Sequence, residues 1–218
     1  MSPSAVSTSA FDLPAWLAAA PDVPPIVQAG AEVLRQRAQP VPASAIGSAA
    51  LRELARRMVD VMREAPGVGL AAPQIGVPLR VFVAEDPEER MSALSAEGRA
   101  ARGRVGLGLM TVVNPELELL GSERATFFEG CLSVRGYGAL VARSISVRVR
   151  GMDVEGRPVT ATLSGWPARI MQHEYDHLEG TLYVDRMITR SLACDAELPR
   201  LAALPPEELS AVLGLSRR

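Results

Sequence analysis

Between Leu51 and Met62 the apolar positions are Leu51, Leu54, Ala55, Met58, Val59 and Met62, with Arg and Glu filling the opposite side. That spacing of i, i+3, i+4, i+7, i+8, i+11 is the stripe of an amphipathic helix. Ser48 can cap its start and Pro66-Gly67 ends it, so a scaffold helix is predicted over 51–65. A second stripe, Trp166, Ile170, His173 and His177, falls at i, i+4, i+7, i+11 and predicts a helix from Gly165 to Leu178 whose histidines continue an apolar face.

Strand patterns occupy much of the remainder. Leu79 to Ala84 is a β-rich apolar run of buried-strand type, and Met110–Asn114, Glu116–Leu120 and Glu123–Phe128 suggest a meander. Ser144–Arg150 and Pro158–Leu163 alternate around the Glu155-Gly156 turn, as a hairpin with one wet face does. Thr181–Val184 reads as a short strand, residues 85–106 as a surface insertion, and 26–34 as a lead into Pro40 and Pro42, which exclude a continuing helix. The expected fold class is α+β, with mixed, mostly antiparallel sheets packed around the histidine-bearing helix. Residues 1–25, rich in Ser, Ala and Pro, read as a mobile arm whose island Phe11–Ala20 can dock on the body or on a second subunit. Residues 26–188 read as the catalytic domain, and 189–218 as a tail with a short helix near 207–213.

Composition narrows the function classes. A chain of 218 residues, 48% hydrophobic and 22% charged, buries a core without disulfide staples. The net charge of −2 argues against an electrostatic nucleic-acid binder. All 23 basic residues are arginine, which removes Schiff-base lysines and Walker A loops. Cys131 and Cys194 are too few for a secreted framework. No basic residue precedes Arg35 and no apolar run approaches the ~20 residues that span a bilayer, so a soluble cytoplasmic protein with reduced thiols and no membrane contact is expected.

The candidate chemistry sits in Q-H-E-Y-D-H-L-E-G, residues 172–180. His173 and His177 are the only histidines in the chain, and on a helix their side chains project within about 40° of one another, one turn apart. That brings both imidazoles within reach of one metal ion, while Glu174 points about 100° away, toward a water held for general-base work. Cys131, on the glycine-containing turn E-G-C-L-S, supplies the third ligand of a Cys-His₂ set that keeps one position open. Ligands of this kind suit zinc or ferrous iron. Asp176 and Glu129 are candidate carboxylate partners for the second ring nitrogens. Gly67–Gly76 carries three glycines and small residues, a backbone that another group can approach closely.

G-V-G-L-A-A-P-Q (67–74), E-G-C-L-S (129–133) and Q-H-E-Y-D-H-L (172–178), in that order and spacing, resemble the three signature motifs of the peptide deformylases, over about residues 26–188. S-G-W-P-A-R-I ahead of the histidines resembles the plant and mitochondrial branch; Arg135 departs, standing where many members have proline. The resemblance implies removal of the formyl group from N-formylmethionyl peptides with release of formate. It implies one divalent metal per chain, Fe²⁺ in the cell with Zn²⁺, Ni²⁺ or Co²⁺ substituting, and Gln74 and the Leu132 backbone N–H as oxyanion donors. Val68, Gly69, Phe127, Glu129, Gly130, Trp166 and Ile170 are the expected substrate contacts. A ribosome contact near the exit tunnel and a homodimer are left open. Two rival readings are a zinc endopeptidase with Glu197 as third ligand and a catalytically idle metal-binding module.

Overall fold

The structure, a computed structural model, describes residues 11–91 and 95–215. Its elements in chain order are helix α1 (Leu13–Ala19), α2 (Ala49–Glu64), strand β1 (Gly69–Ala71), β2 (Val81–Asp86), α3 (Ala96–Arg102), β3 (Leu107–Cys131), β4 (Val134–Met152), β5 (Pro158–Ser164), α4 (Gly165–Leu178), β6 (Ala193–Cys194), α5 (Leu198–Ala202) and α6 (Pro206–Val212). The strands form one antiparallel sheet in the order β1-β2-β3-β4-β5, with β6 pairing β4. This is the expected mixture of helices with a predominantly antiparallel sheet.

The run Val81–Ala84 is apolar without alternation because both of its faces are covered. Val81 and Val83 pack with Leu51, Met58 and Leu70 on the α2 side, while Phe82 and Ala84 pack with Ile170, Met171 and Leu178 of α4 on the other. The side-chain period of two thus splits one strand between two cores. α2 follows its predicted stripe, and Ser48 Oγ accepts from Leu51 N at 3.1 Å as its cap.

The meander is not formed. Residues 107–131 are one strand of 25 residues, because their backbone pairs first with β2 and then with β4 without a turn between. The polar breaks read as turns are irregularities in that strand, at Asn114 with φ +50° and Gly121 with φ +71°. Asn114 tolerates this conformation because its amide bonds Val41 N at 2.8 Å and Val41 O at 2.9 Å. The 181–184 strand is absent too: Tyr183–Asp185 forms a 3₁₀ turn, and the Asp185 carboxylate accepts from Leu182 N at 2.8 Å.

Residues 85–106 do more than cover surface. Gly103, with φ +52°, accepts Trp166 N at 3.2 Å, and a Cβ on Gly165 would lie 2.4 Å from the Gly103 oxygen. The insertion therefore caps the start of α4, where Ser164 makes no side-chain cap bond. Residues 11–25 of the arm are docked on the body. Arg57 donates to the carbonyls of Leu17, Ala20 and Pro21, and Leu13 and Trp16 join the α2 core. Residues 1–10 of the expected mobile arm lie outside the described residues. No helix among the described residues is long and apolar enough to cross a membrane.

Candidate active site

α4 lies against β1, β2, β3, β4 and β5, so its polar residues are largely enclosed. The ring centroids of His173 and His177 are 5.1 Å apart, and Cys131, at the end of β3, brings its Sγ to 3.3 Å from His177 Nε2. One ligand atom from each of Cys131, His173 and His177 lies within 4.8 Å of the others. A divalent cation takes sulfur at about 2.3 Å and imidazole nitrogen at about 2.0–2.1 Å, so the donor set fits one ion without rearrangement of the backbone.

One carboxylate organises the buried charge around these donors. Glu129 accepts from His173 Nδ1 at 3.0 Å, from Arg143 at 3.0 and 2.9 Å, and from Arg169 at 2.5 Å. Burial alone would raise the Glu129 carboxyl; the bonds from His173 and Arg143 outweigh it and hold the group well below the usual range. The bond to Nδ1 leaves His173 Nε2 facing the other donors. Glu129, expected among the substrate contacts, borders the cavity, but its oxygens are committed to these three partners. Asp176 pairs with Arg143 and, through two 2.7 Å bonds, with Arg186; the partner expected for a histidine ring is here an anchor for arginines. Among the described residues His177 Nδ1 has no hydrogen-bond partner, and burial holds the ring well below its ordinary pKa and neutral, the form that ligates metal.

Glu174 is 4% exposed, and its Oε2 likewise has no hydrogen-bond partner among the described residues. Burial pushes its carboxyl up to about 7. Its Oε1 occupies the space that a side chain at position 69 would need. Gln74, fixed by Ala71 N donating to its Oε1 at 2.8 Å, aims its Nε2 at Ser133 Oγ, 3.3 Å away, and at Cys131 Sγ, 3.6 Å away.

Gln74, Glu129, Cys131, His173 and Glu174 border a cavity of about 510 Å³, whose walls also include Val68, Gly69, Gly130, Leu132, Trp166 and Ile170; His177 sits behind them. Phe128, not Phe127, lines it. The Phe127 ring stands behind the wall, edge-on to Trp166 at 6.3 Å, with the Arg169 guanidinium 5.3 Å from its centroid. Adjacent strand residues face opposite sides, and the sequence does not say which of two phenylalanines faces the groove. Glu197 lies outside the donor group, pairing with Arg200 at the surface.

Sequence reading missed Arg143, Arg169 and Gln28. Gln28 donates to Leu132 O at 3.0 Å and accepts from Arg135 N at 3.3 Å, while Val27 N and Ala29 N donate to Gln74 O and Ser133 O. The stretch 26–29 therefore stitches the two turns that carry Gln74 and Leu132. No periodic signal marks an isolated glutamine or a buried arginine; only the buried carboxylates opposite the arginines make them necessary.

An antiparallel sheet packed on a helix, with a thiol, an imidazole and a buried carboxylate on one open cavity and a second imidazole behind them, is an arrangement suited to metal-assisted hydrolysis. The chain belongs to the polypeptide deformylase family, whose profile matches residues 23–192. It is 49% identical over 191 residues to peptide deformylase 1 of Streptomyces coelicolor, covering 87% of this chain and 85% of that protein. It is 47% identical over 185 residues to the chloroplastic peptide deformylase 1A of Solanum lycopersicum, covering 84% and 67% respectively. Against the human mitochondrial peptide deformylase it is 43% identical over 174 residues, covering 78% and 72%. Among solved structures, the Met-Ala-Ser-bound class I type b peptide deformylase of Acinetobacter baumannii superposes with a TM-score of 0.68 at 36% identity, covering 76% of this chain and 98% of that one.

Proposed function

We propose that this protein removes the N-formyl group from N-formylmethionyl nascent peptides, with residues 26–188 as the catalytic body, Cys131, His173 and His177 as metal ligands and Glu174 as the proton carrier. The observation that carries the reading is the convergence of three donor atoms within 4.8 Å beside an unpartnered, buried carboxylate oxygen on an open cavity. The family match at residues 23–192 supports the assigned body. The family resemblance favours Fe²⁺, with Zn²⁺, Ni²⁺ or Co²⁺ able to substitute. Bound there, a divalent cation supplies Lewis acidity and a water that ionises near neutral pH.

The remaining work falls to side chains. Glu174 takes the proton of the attacking water at its free oxygen and delivers it to the departing methionine amine, a role worth typically about 10²–10⁴ in rate. A carboxyl pushed up to about 7 suits both halves of that transfer. Gln74 Nε2, held toward the Cys131 side of the cavity, and the Leu132 N–H on the adjoining turn donate to the developing oxyanion; losing one such donor costs about 3–4 kcal/mol. β1 is the edge of the sheet, so an extended peptide can add beside Gly69 with backbone bonds that tolerate any sequence. Val68, Trp166 and Ile170 wall the methionine pocket, with Phe127 supporting Trp166 from behind. Such a substrate arises where translation occurs, and a cytoplasmic site of action is part of this proposal.

The test is formate release from formyl-Met-Ala-Ser by anaerobically prepared, metal-loaded protein, repeated with Glu174→Ala. Turnover by the parent and its loss in the variant support the reading. No turnover by the metal-loaded parent leaves the idle-module reading standing.

A further inference from the structure

The cavity is lined by two arginines, and they differ in state. Arg169 is buried and fully engaged, donating to Glu129, Val141 O and Ala125 O. Arg135 is exposed, and among the described residues its guanidinium has no ion pair or hydrogen bond; only its backbone N–H is held, by Gln28 Oε1 at 3.3 Å. Its backbone is pinned from the other side as well. The adjoining Val134 pairs with Cys131 across the turn, and Asp195 N donates to the next carbonyl, Gly136 O, at 3.0 Å. A fixed backbone thus presents a free cation at the cavity mouth, one residue beyond the strand partner of the donor thiol.

We propose that Arg135 determines substrate preference: among formylated peptides it favours those with an acidic side chain at the second or third residue. This rests on the deformylase reading of the site and adds a substrate class to it. An extended peptide rises about 3.3 Å per residue, so the residues just after the methionine are those that pass a cation rooted so near the thiol. Asp195 is the other charged group on this rim not assigned to site chemistry. Its backbone is tied to Gly136 and the residue is exposed, so its charge works against an acidic preference and cannot be the source of one. Attraction between an exposed cation and a carboxylate is screened by salt, so the preference belongs to low ionic strength.

The experiment compares kcat/KM for formyl-Met-Glu-Ser, formyl-Met-Lys-Ser, formyl-Met-Ala-Glu and formyl-Met-Ala-Lys with the metal-loaded full chain. An acidic-over-basic ratio of about two- to fivefold is expected in at least one pair, the size that a solvent-exposed charge pair produces. It shrinks toward one at about 1 M salt, where the screening length is about 3 Å. Arg135→Ala should bring the ratio to one, and Arg135→Glu should invert it, with thermal melting unchanged in both. Asp195→Asn should leave the ratio in place or enlarge it. A parent ratio of one, a ratio that survives in Arg135→Ala, or one abolished by Asp195→Asn alone overturns the assignment while leaving the deformylase reading intact. Failure of the parent to turn over any of the four peptides overturns both.

Discussion

The carboxylate of Glu174 lies where a side chain on Gly69 would be: a Cβ at position 69 would sit 2.2 Å from Glu174 Oε1 and 2.5 Å from its Cδ. The glycine of β1 and the glutamate of α4 are therefore fitted to each other, and Gly69→Ala has to push Glu174 aside. A displacement near 1 Å costs about 10² in rate, so kcat is expected to fall about a hundredfold. Overpacking of this kind costs about 1–3 kcal/mol, readable by urea denaturation, and bound metal should remain near one per chain.

Glu174→Gln keeps the shape and removes the proton carrier. Deformylation should fall by about 10²–10⁴ with metal content unchanged. Retained activity would move the general base elsewhere.

Cys131→Ser and Glu197→Ala separate the two possible third ligands. The first should lose metal, measured by elemental analysis after gel filtration. The second should bind as the parent does, because Glu197 pairs with Arg200 outside the donor group.

Arg143 touches both Glu129 and Asp176 within a buried network. Replacing it with Met takes one partner from each of two buried carboxylates, which keep Arg169, His173 and Arg186, and should cost about 1.5–3 kcal/mol. Arg63, half-exposed and paired with Glu85 at 2.8 Å, is the contrast: Arg63→Met should leave the urea midpoint nearly unchanged.

Tyr183 gives an alkaline signature. Burial pushes its phenol from 10 up to about 12, and its hydroxyl donates to Tyr137 O at 2.9 Å. The folded state holds this proton more tightly than the unfolded chain does. The contribution to stability is therefore complete below pH 10 and is lost as pH rises toward about 12. With no lysine in the chain, few other groups titrate in that window. Tyr183→Phe should flatten the fall in stability between pH 10 and 12, measured by denaturant unfolding.

The two principal helices and the histidine pair were legible in the sequence because each rests on local periodicity, and the structure places α4 over the predicted span, Gly165–Leu178. The long strand was not, because Asn114 and Gly121 look the same in sequence whether they turn the chain or kink a strand; only pairing with β2 and β4 decides between the two. Cys131 was picked out as a donor, and Glu129 was read both as a substrate contact and as a partner for a histidine ring; the second reading holds, at His173, while its bonds to Arg143 and Arg169 were not foreseen. A carboxylate is acceptor enough for either role, and burial against arginines from β4 and α4 lies beyond any local pattern.

That long strand also makes the thiol sensitive to phase. Strand residues alternate between faces, so deleting one residue between Gly121 and Cys131 rotates the sulfur to the far side of the ribbon, whereas deleting a pair restores its facing. Length variation in this stretch is thus tolerated only in steps of two, unless another kink like that at Gly121 resets the count.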